Sequence, residues 1–201
     1  MNNYCLWLIL GILYGVLNIF FYGINQNNFL GTFLSSVPMW LVIPYFSAIK
    51  NSNRNSAVFS SMFALMGVFT GYHVTRILKS GIFAVDLYDV LWIIIGAVFG
   101  LIWGLIAYPV KNSNIKLLQR NLLPATFIAE ALYEMKKSFV FRFPNNFNSL
   151  HIMLLIMGVI LYFFTNGKSS KNLKNYATFI VLSFAEFIGI AFVYNILYMI
   201  L

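Results

Sequence analysis

Charge is what this sequence lacks first: Asp, Glu, Lys and Arg make up 9% of its 201 residues, where a soluble domain averages about 25%. So small a share cannot clothe a surface that meets water on all sides. Acids are the scarcer sign, five against 13 Lys and Arg. The single cysteine, Cys5, excludes an intramolecular disulfide, and within an apolar stretch a lone thiol behaves as a small hydrophobe. With no cysteine pair and only His73 and His151, the ligands for a closed tetrahedral zinc site are too few, so neither a metal nor a cofactor is expected. GxxxxGK[ST], HExxH and GxSxG are all missing, which argues against ATP hydrolysis, zincin proteolysis and nucleophile-elbow hydrolysis. No nucleophile and base stand in register, and the chain does not read as an enzyme.

What is present is apolar length. Hydrophobic residues reach 61% and aromatics 18%, with a mean hydropathy of +0.82. Seven stretches approach the roughly 20 residues that cross a hydrocarbon core: Tyr4 to Tyr22, Phe29 to Ile49, Ala57 to Leu78, Leu87 to Val110, Leu117 to Met135, Leu150 to Thr165 and Tyr176 to Leu201. In lipid the backbone must satisfy its own hydrogen bonds, so such runs read as helices. The expected fold is all-α, a polytopic transmembrane bundle in one domain over residues 1–201. The first run is long for a signal peptide and has no clear cleavage site, so it is read as a retained helix. The fifth is the weak one, interrupted by Arg120, Asn121 and Pro124 and carrying Glu130 and Glu134. Seven crossings are favoured, with six crossings and a re-entrant or interfacial fifth segment as the alternative. Either way, more basic residues fall on one side if the N-terminus is cytoplasmic. With seven, that side holds Lys50, Arg54, Lys111, Lys116, Arg120, Lys168, Lys171 and Lys174. The formal charge of +8 therefore orients a membrane protein and does not point to nucleic acid; the expected surroundings are a lipid bilayer.

Small residues recur at four-residue spacing: Gly11 and Gly15, Gly67 and Gly71, then Gly96, Gly100 and Gly104. Apolar burial does not drive helices together in lipid, whereas close backbone approach along such a face does. Packing within the chain is the first reading and a homodimer seam the second. Pro38 and Pro44 free carbonyls in the second span and predict a kink there.

Polar residues inside a membrane are costly, and the few present gather in the outer half or near the midplane of the seven-crossing frame. Glu186 stands ten residues into the last span, where a carboxylate costs roughly 2.5–3.5 kcal/mol. It must face the bundle and either pair with a cation or sit protonated. Glu130, Tyr133 and Glu134 share a helical face; Glu134, near an interface with Lys137 three residues on, reads as a solvated local pair, and Glu130 lies deeper. Tyr72 and Arg76 are one turn apart beside His73. Arg76 either snorkels to the interface, pairs with Glu130 or anchors an anionic ligand group. Tyr14, Asn18 and Tyr22 give the first span a polar stripe, Asn18 being suited to an interhelical hydrogen bond or a cavity wall. Asp86, Asp89 and Trp92 open the fourth span, with Trp92 as an interfacial anchor. The candidate ligand-binding residues are thus Asn18, Tyr72, His73, Arg76, Glu130, Tyr133 and Glu186, around an outward-facing polar cavity.

Gly11-Ile-Leu-Tyr-Gly15, the Trp40 to Pro44 stretch, Gly67 to Tyr72 and Ala129-Glu130-Ala131-Leu132-Tyr133 resemble a family of small bacterial multi-pass membrane proteins, domain of unknown function 6518, over Gly11 to Met135. The resemblance implies a bacterial cytoplasmic-membrane setting, assigns no activity and draws attention to Glu130 and Tyr133. In size and helical character the chain is also similar to the substrate-binding subunits of energy-coupling-factor vitamin transporters, an analogy of fold alone. Two functions follow as expectations: binding or transport of a small molecule, with other membrane subunits as partners, or a structural or regulatory role in which the buried acids only fix packing.

Overall fold

The computed structural model describes residues 4–24, 29–81, 87–108, 113–141 and 146–200. These residues are helical apart from short turns and connections, with no strand among them. One compact unit, Met1–Pro109, holds α1 (Tyr4–Ile24), α2 (Phe29–Leu34), α3 (Val37–Ile49), α4 (Arg54–Ser80) and α5 (Leu87–Ala107). A second, Val110–Leu201, holds α6 (Ser113–Phe141), α7 (Asn146–Asn166) and α8 (Leu173–Ile200), with a 3-10 turn at Gly167–Lys171 between the last two. Among the described residues, four segments are long and apolar enough to cross a membrane: Tyr4–Phe21, Arg54–Ser80, Leu87–Ala107 and Leu173–Phe192. Among the other expected spans, Val37–Ile49 and Leu150–Asn166 are shorter apolar helices. The weak fifth segment is one continuous helix of 29 residues that runs through Pro124.

The expected second span is not one helix but two. The break falls at Ser35–Ser36, where Ser36 is extended (φ −67°, ψ 147°) and caps α3. The two serine hydroxyls turn back on the chain, Ser35 donating to the Thr32 carbonyl at 3.0 Å and Ser36 to the Phe33 carbonyl at 2.7 Å. Such local bonds compete with the helical ladder. Pro38 adds to the break, because it has no N–H for the carbonyl four residues back, that of Leu34. The orphaned Leu34 oxygen is taken over from α1: Tyr14 Oη donates to it at 2.6 Å and Asn18 Nδ2 at 2.7 Å. Two residues of the polar stripe thus replace a missing backbone donor. Tyr14→Phe or Asn18→Leu alone leaves one donor in place and is expected to cost about 1 kcal/mol, whereas the double variant strands the acceptor and costs roughly 1–3 kcal/mol more than either. Unfolding in detergent micelles checks this; two single effects that merely add would show that the carbonyl is not shared.

α4 is the hub of the first unit and packs against α1, α3 and α5. It begins at an Asn53 cap, whose Oδ1 accepts the Asn55 N–H at 2.9 Å, and ends at Gly81 in the left-handed region (φ 70°), a conformation that favours glycine. The glycines line its contacts. A methyl at Gly15 of α1 would run into the Val68 oxygen and Tyr72 nitrogen of α4; one at Gly71 of α4 would run into Ile12 of α1. On the other flank, a methyl at Gly100 of α5 would stand 2.6 Å from Met62 Cα, and one at Gly104 2.7 Å from Val58 Cα. Both seams are used inside the chain, as the first reading of the spacing predicts.

Burial in α5 is the reverse of a water-soluble helix. Gly96, Gly100, Gly104 and Ala107 face inward, whereas Ile94, Val98, Ile102 and Leu105 are exposed. In water the large side chains would turn to the core; with lipid as solvent they have no reason to, and small residues take the interface. α1 follows the same rule, with Gly11, Gly15 and Asn18 buried and Leu6, Ile9, Leu13 and Phe20 outward.

Candidate functional site

α4 and α5 are consecutive helices that pack together, and between the last turns of α4 and the first turn of α5 they bring charge together. Asp89 lies in the first turn of α5, where the positive end of the helix dipole favours an acid. Its side chain is 2% exposed, a burial at which an ionised carboxylate needs partners. α4 supplies two. His73 Nδ1 lies 2.5 Å from Asp89 Oδ1, and Arg76 Nη2 donates to the same oxygen. An ionised carboxylate only accepts, so the imidazole proton on that side is on Nδ1. Arg76 is 41% exposed and stands over the Tyr88 ring at 5.9 Å.

Around this clasp the rings form a closed circuit. Tyr72 meets Trp40 (5.8 Å between centroids), Trp40 meets Phe69 (5.1 Å), and Phe69 stacks on Trp92 (5.6 Å). Trp92 meets Tyr88 (6.0 Å), Tyr88 meets His73 (6.2 Å), and His73 returns to Tyr72 (5.3 Å). Five of these contacts are edge-on or tilted and one is stacked, arrangements that the ring quadrupole favours. The same six rings and Arg76 line a cavity of about 150 Å³. α3, α4 and α5 each contribute to the wall. One wall group is left unmatched: the indole Nε1–H of Trp40 is buried with no acceptor.

Of the residues singled out from the sequence, the structure gathers Tyr72, His73 and Arg76 at this cavity. Arg76, for which Glu130 and the interface are the partners considered from sequence, has Asp89. The amide of Asn18 belongs to the Leu34 tie. Glu130, Tyr133 and Glu186 lie in the second unit. There Glu130 and Tyr133 are buried on α6, as is Glu134, which sits in the electrostatic reach of His151 on α7 and not in solvent as its position near an interface implies. Both carboxyl oxygens of Glu186 are enclosed beside Thr126, whose hydroxyl donates to the Leu122 carbonyl at 2.9 Å. A second buried tie joins α6 to α7, Asn166 Nδ2 donating to Asn121 Oδ1 at 2.8 Å. Asp86 and the side chains of Tyr22 and Lys137 lie outside the described residues. Among the described residues, no group of three or more His, Cys, Asp and Glu could hold a metal ion.

The sequence reading missed Asp89 as a member of the site and Trp40, Phe69, Tyr88 and Trp92 as its wall. One signal was available for the acid: His73 and Asp89 stand eight residues on either side of Gly81, the register at which two antiparallel helices joined by a short turn face each other. In a chain with 21 Phe, 12 Tyr and 4 Trp, no single ring announces itself.

The model of a family of unknown function (DUF6518) matches residues 1–198, more of the chain than the Gly11 to Met135 stretch that carries the resemblance. No curated protein and no solved structure matches the chain.

Proposed function

The chain belongs to this family of unknown function, whose description states no activity, and from that premise we propose that it is a multi-pass protein of the bacterial cytoplasmic membrane, N-terminus inside, that binds a small molecule in the aromatic cavity between α3, α4 and α5. The observation that carries the reading is the closed circuit of six rings around about 150 Å³, with a partly exposed arginine on its wall and an unmatched indole N–H beside it. Apolar walls with a few fixed polar groups are the usual form of a small-molecule site. The exposed Ile, Leu and Phe of α1 and α5 support a lipid setting, and the excess of Lys and Arg on one side supports the orientation.

A second reading has its own support. The Arg76–Asp89–His73 clasp is satisfied without a ligand, which suits a lock that only holds α4 to α5. Native mass spectrometry of the protein from mild detergent separates the two. We expect a specific non-lipid mass on the wild type, kept in a Glu130→Gln, Glu186→Gln double variant of the second unit and lost in Trp92→Ala. Only lipid on all three proteins, equally folded, would favour the lock.

A further inference from the structure

The fixed charge on the cavity wall is of one sign, and it selects the chemistry of the ligand. The guanidinium of Arg76 offers five N–H donors and no acceptor, with one shown donating to Asp89. Tyr72 and Tyr88 also line the cavity, and a phenol donates as readily as it accepts, whereas the Trp40 Nε1–H is enclosed. Asp89 is absent from the wall: it stands behind His73 and Arg76, and its Oδ1 is engaged with both. A permanent cation therefore meets the cavity, and no carboxylate stands among its lining residues. A cage built for an ammonium group would need the opposite, an acid or bare ring faces, and here a face of Tyr88 is already covered by Arg76. Volume sets the size, since an apolar cavity of about 150 Å³ takes one benzene-sized ring. Access is consistent with charge: Arg76 is 41% exposed and lies one turn before the end of α4 at Ser80, where a ligand need not lose all its water before the guanidinium meets it.

Resting on the small-molecule reading above, we infer that the ligand is a ring-sized organic anion, its ring held among Trp40, Phe69, Tyr72, Tyr88 and Trp92 and its carboxylate or equivalent oxyanion bound by Arg76. An anion there makes charge-assisted hydrogen bonds, which are shorter and about twice as strong as neutral ones, while the ring gains stacking contacts on either side.

Three probes of one size and different charge test this on the full chain in detergent: benzoate, benzyl alcohol and benzyltrimethylammonium, each titrated by calorimetry and by ligand-observed saturation-transfer NMR. Benzoate should bind tightest. Arg76→Gln should weaken benzoate by about tenfold or more while changing benzyl alcohol by less than about threefold. Arg76→Lys keeps the charge but not the fork, and should fall between wild type and Arg76→Gln. Because Arg76→Gln removes a partner of a buried acid, Arg76→Lys, which keeps a cation beside that acid, is the variant that decides if Arg76→Gln fails to fold; unchanged benzoate binding in folded Arg76→Lys would then overturn the inference. Benzyl alcohol binding as well as benzoate overturns the anion inference and leaves the cavity as a binding site. Preference for the ammonium overturns it in favour of a cation cage. Failure of all three probes to bind overturns both the inference and the reading beneath it.

Discussion

Gly67→Leu should cost about 3 kcal/mol, at the upper end of what overpacking usually costs. The reason lies in what the new side chain would meet. A Cβ at Gly67 runs into the Leu8 carbonyl oxygen and stands 3.0 Å from the Ile12 nitrogen and 3.1 Å from Gly11 Cα. All three are backbone, and backbone inside a helix cannot rotate aside as a side chain can. α1 must then move away from α4, which opens the whole seam and not one contact. Against a typical stability of about 5–15 kcal/mol, that loss is large. Gly189→Leu in α8 is the matched control: nothing lies within 4 Å of its added Cβ, so its effect should stay within about 0.5 kcal/mol. Thermal unfolding followed by circular dichroism in one detergent compares the two. Equal melting temperatures would sink the account of the seam.

Arg76→Gln should destabilise the protein more than Asp89→Asn, although the two variants remove opposite ends of one ion pair. The asymmetry comes from burial, 41% exposure for the arginine side chain and 2% for the aspartate. Without its acid, the guanidinium can turn toward water, and an amide at position 89 still offers His73 an oxygen. Without its cation, a buried carboxylate is left with the imidazole, and an uncompensated buried charge costs about 3–5 kcal/mol. The mutual attraction of the pair is a minor part of this, because one partner is screened by solvent. The double variant should accordingly be more stable than Arg76→Gln alone. Unfolding free energies of the four proteins form the double-mutant cycle that decides it; additive losses would show that the clasp contributes no coupling.

How far the fold was legible differs from element to element. Gly11, Gly15, Gly67 and Gly71 announce helix contacts because four-residue spacing is a property of one helix, readable along one chain. That α1 passes over α2 and α3 to meet α4 is a property of two helices, and nothing in the spacing of either states it. Pro38 foretold a freed carbonyl, yet the break itself needed Ser35 and Ser36, whose hydroxyls turn back to Thr32 and Phe33. Tyr14 and Asn18 read as a stripe, while their common purpose depends on a carbonyl 16 to 20 residues away. At the site, His73 and Arg76 stood out because polar residues in an apolar run are rare. Asp89 stood out less, since near a helix start an acid has a local explanation in the dipole. Trp92 was readable as an interfacial anchor, and its place in the cavity wall was not, because composition cannot distinguish a ring that faces lipid from one that faces other rings.

The Leu34 tie also bears on the order in which the first unit comes together. Chains emerge from the N-terminus at about 5–20 residues per second, so the stretch from Gly15 to Gly67 takes roughly 3–10 s to synthesise. For that interval α1 has no glycine partner. Leu34, in contrast, follows Asn18 by 16 residues, and its carbonyl is within reach early. The hydrogen bonds from Tyr14 and Asn18 can therefore hold the rotation and depth of α1 while α4 is still being made, so that the smooth face of Gly11 and Gly15 is already turned toward the place where α4 arrives.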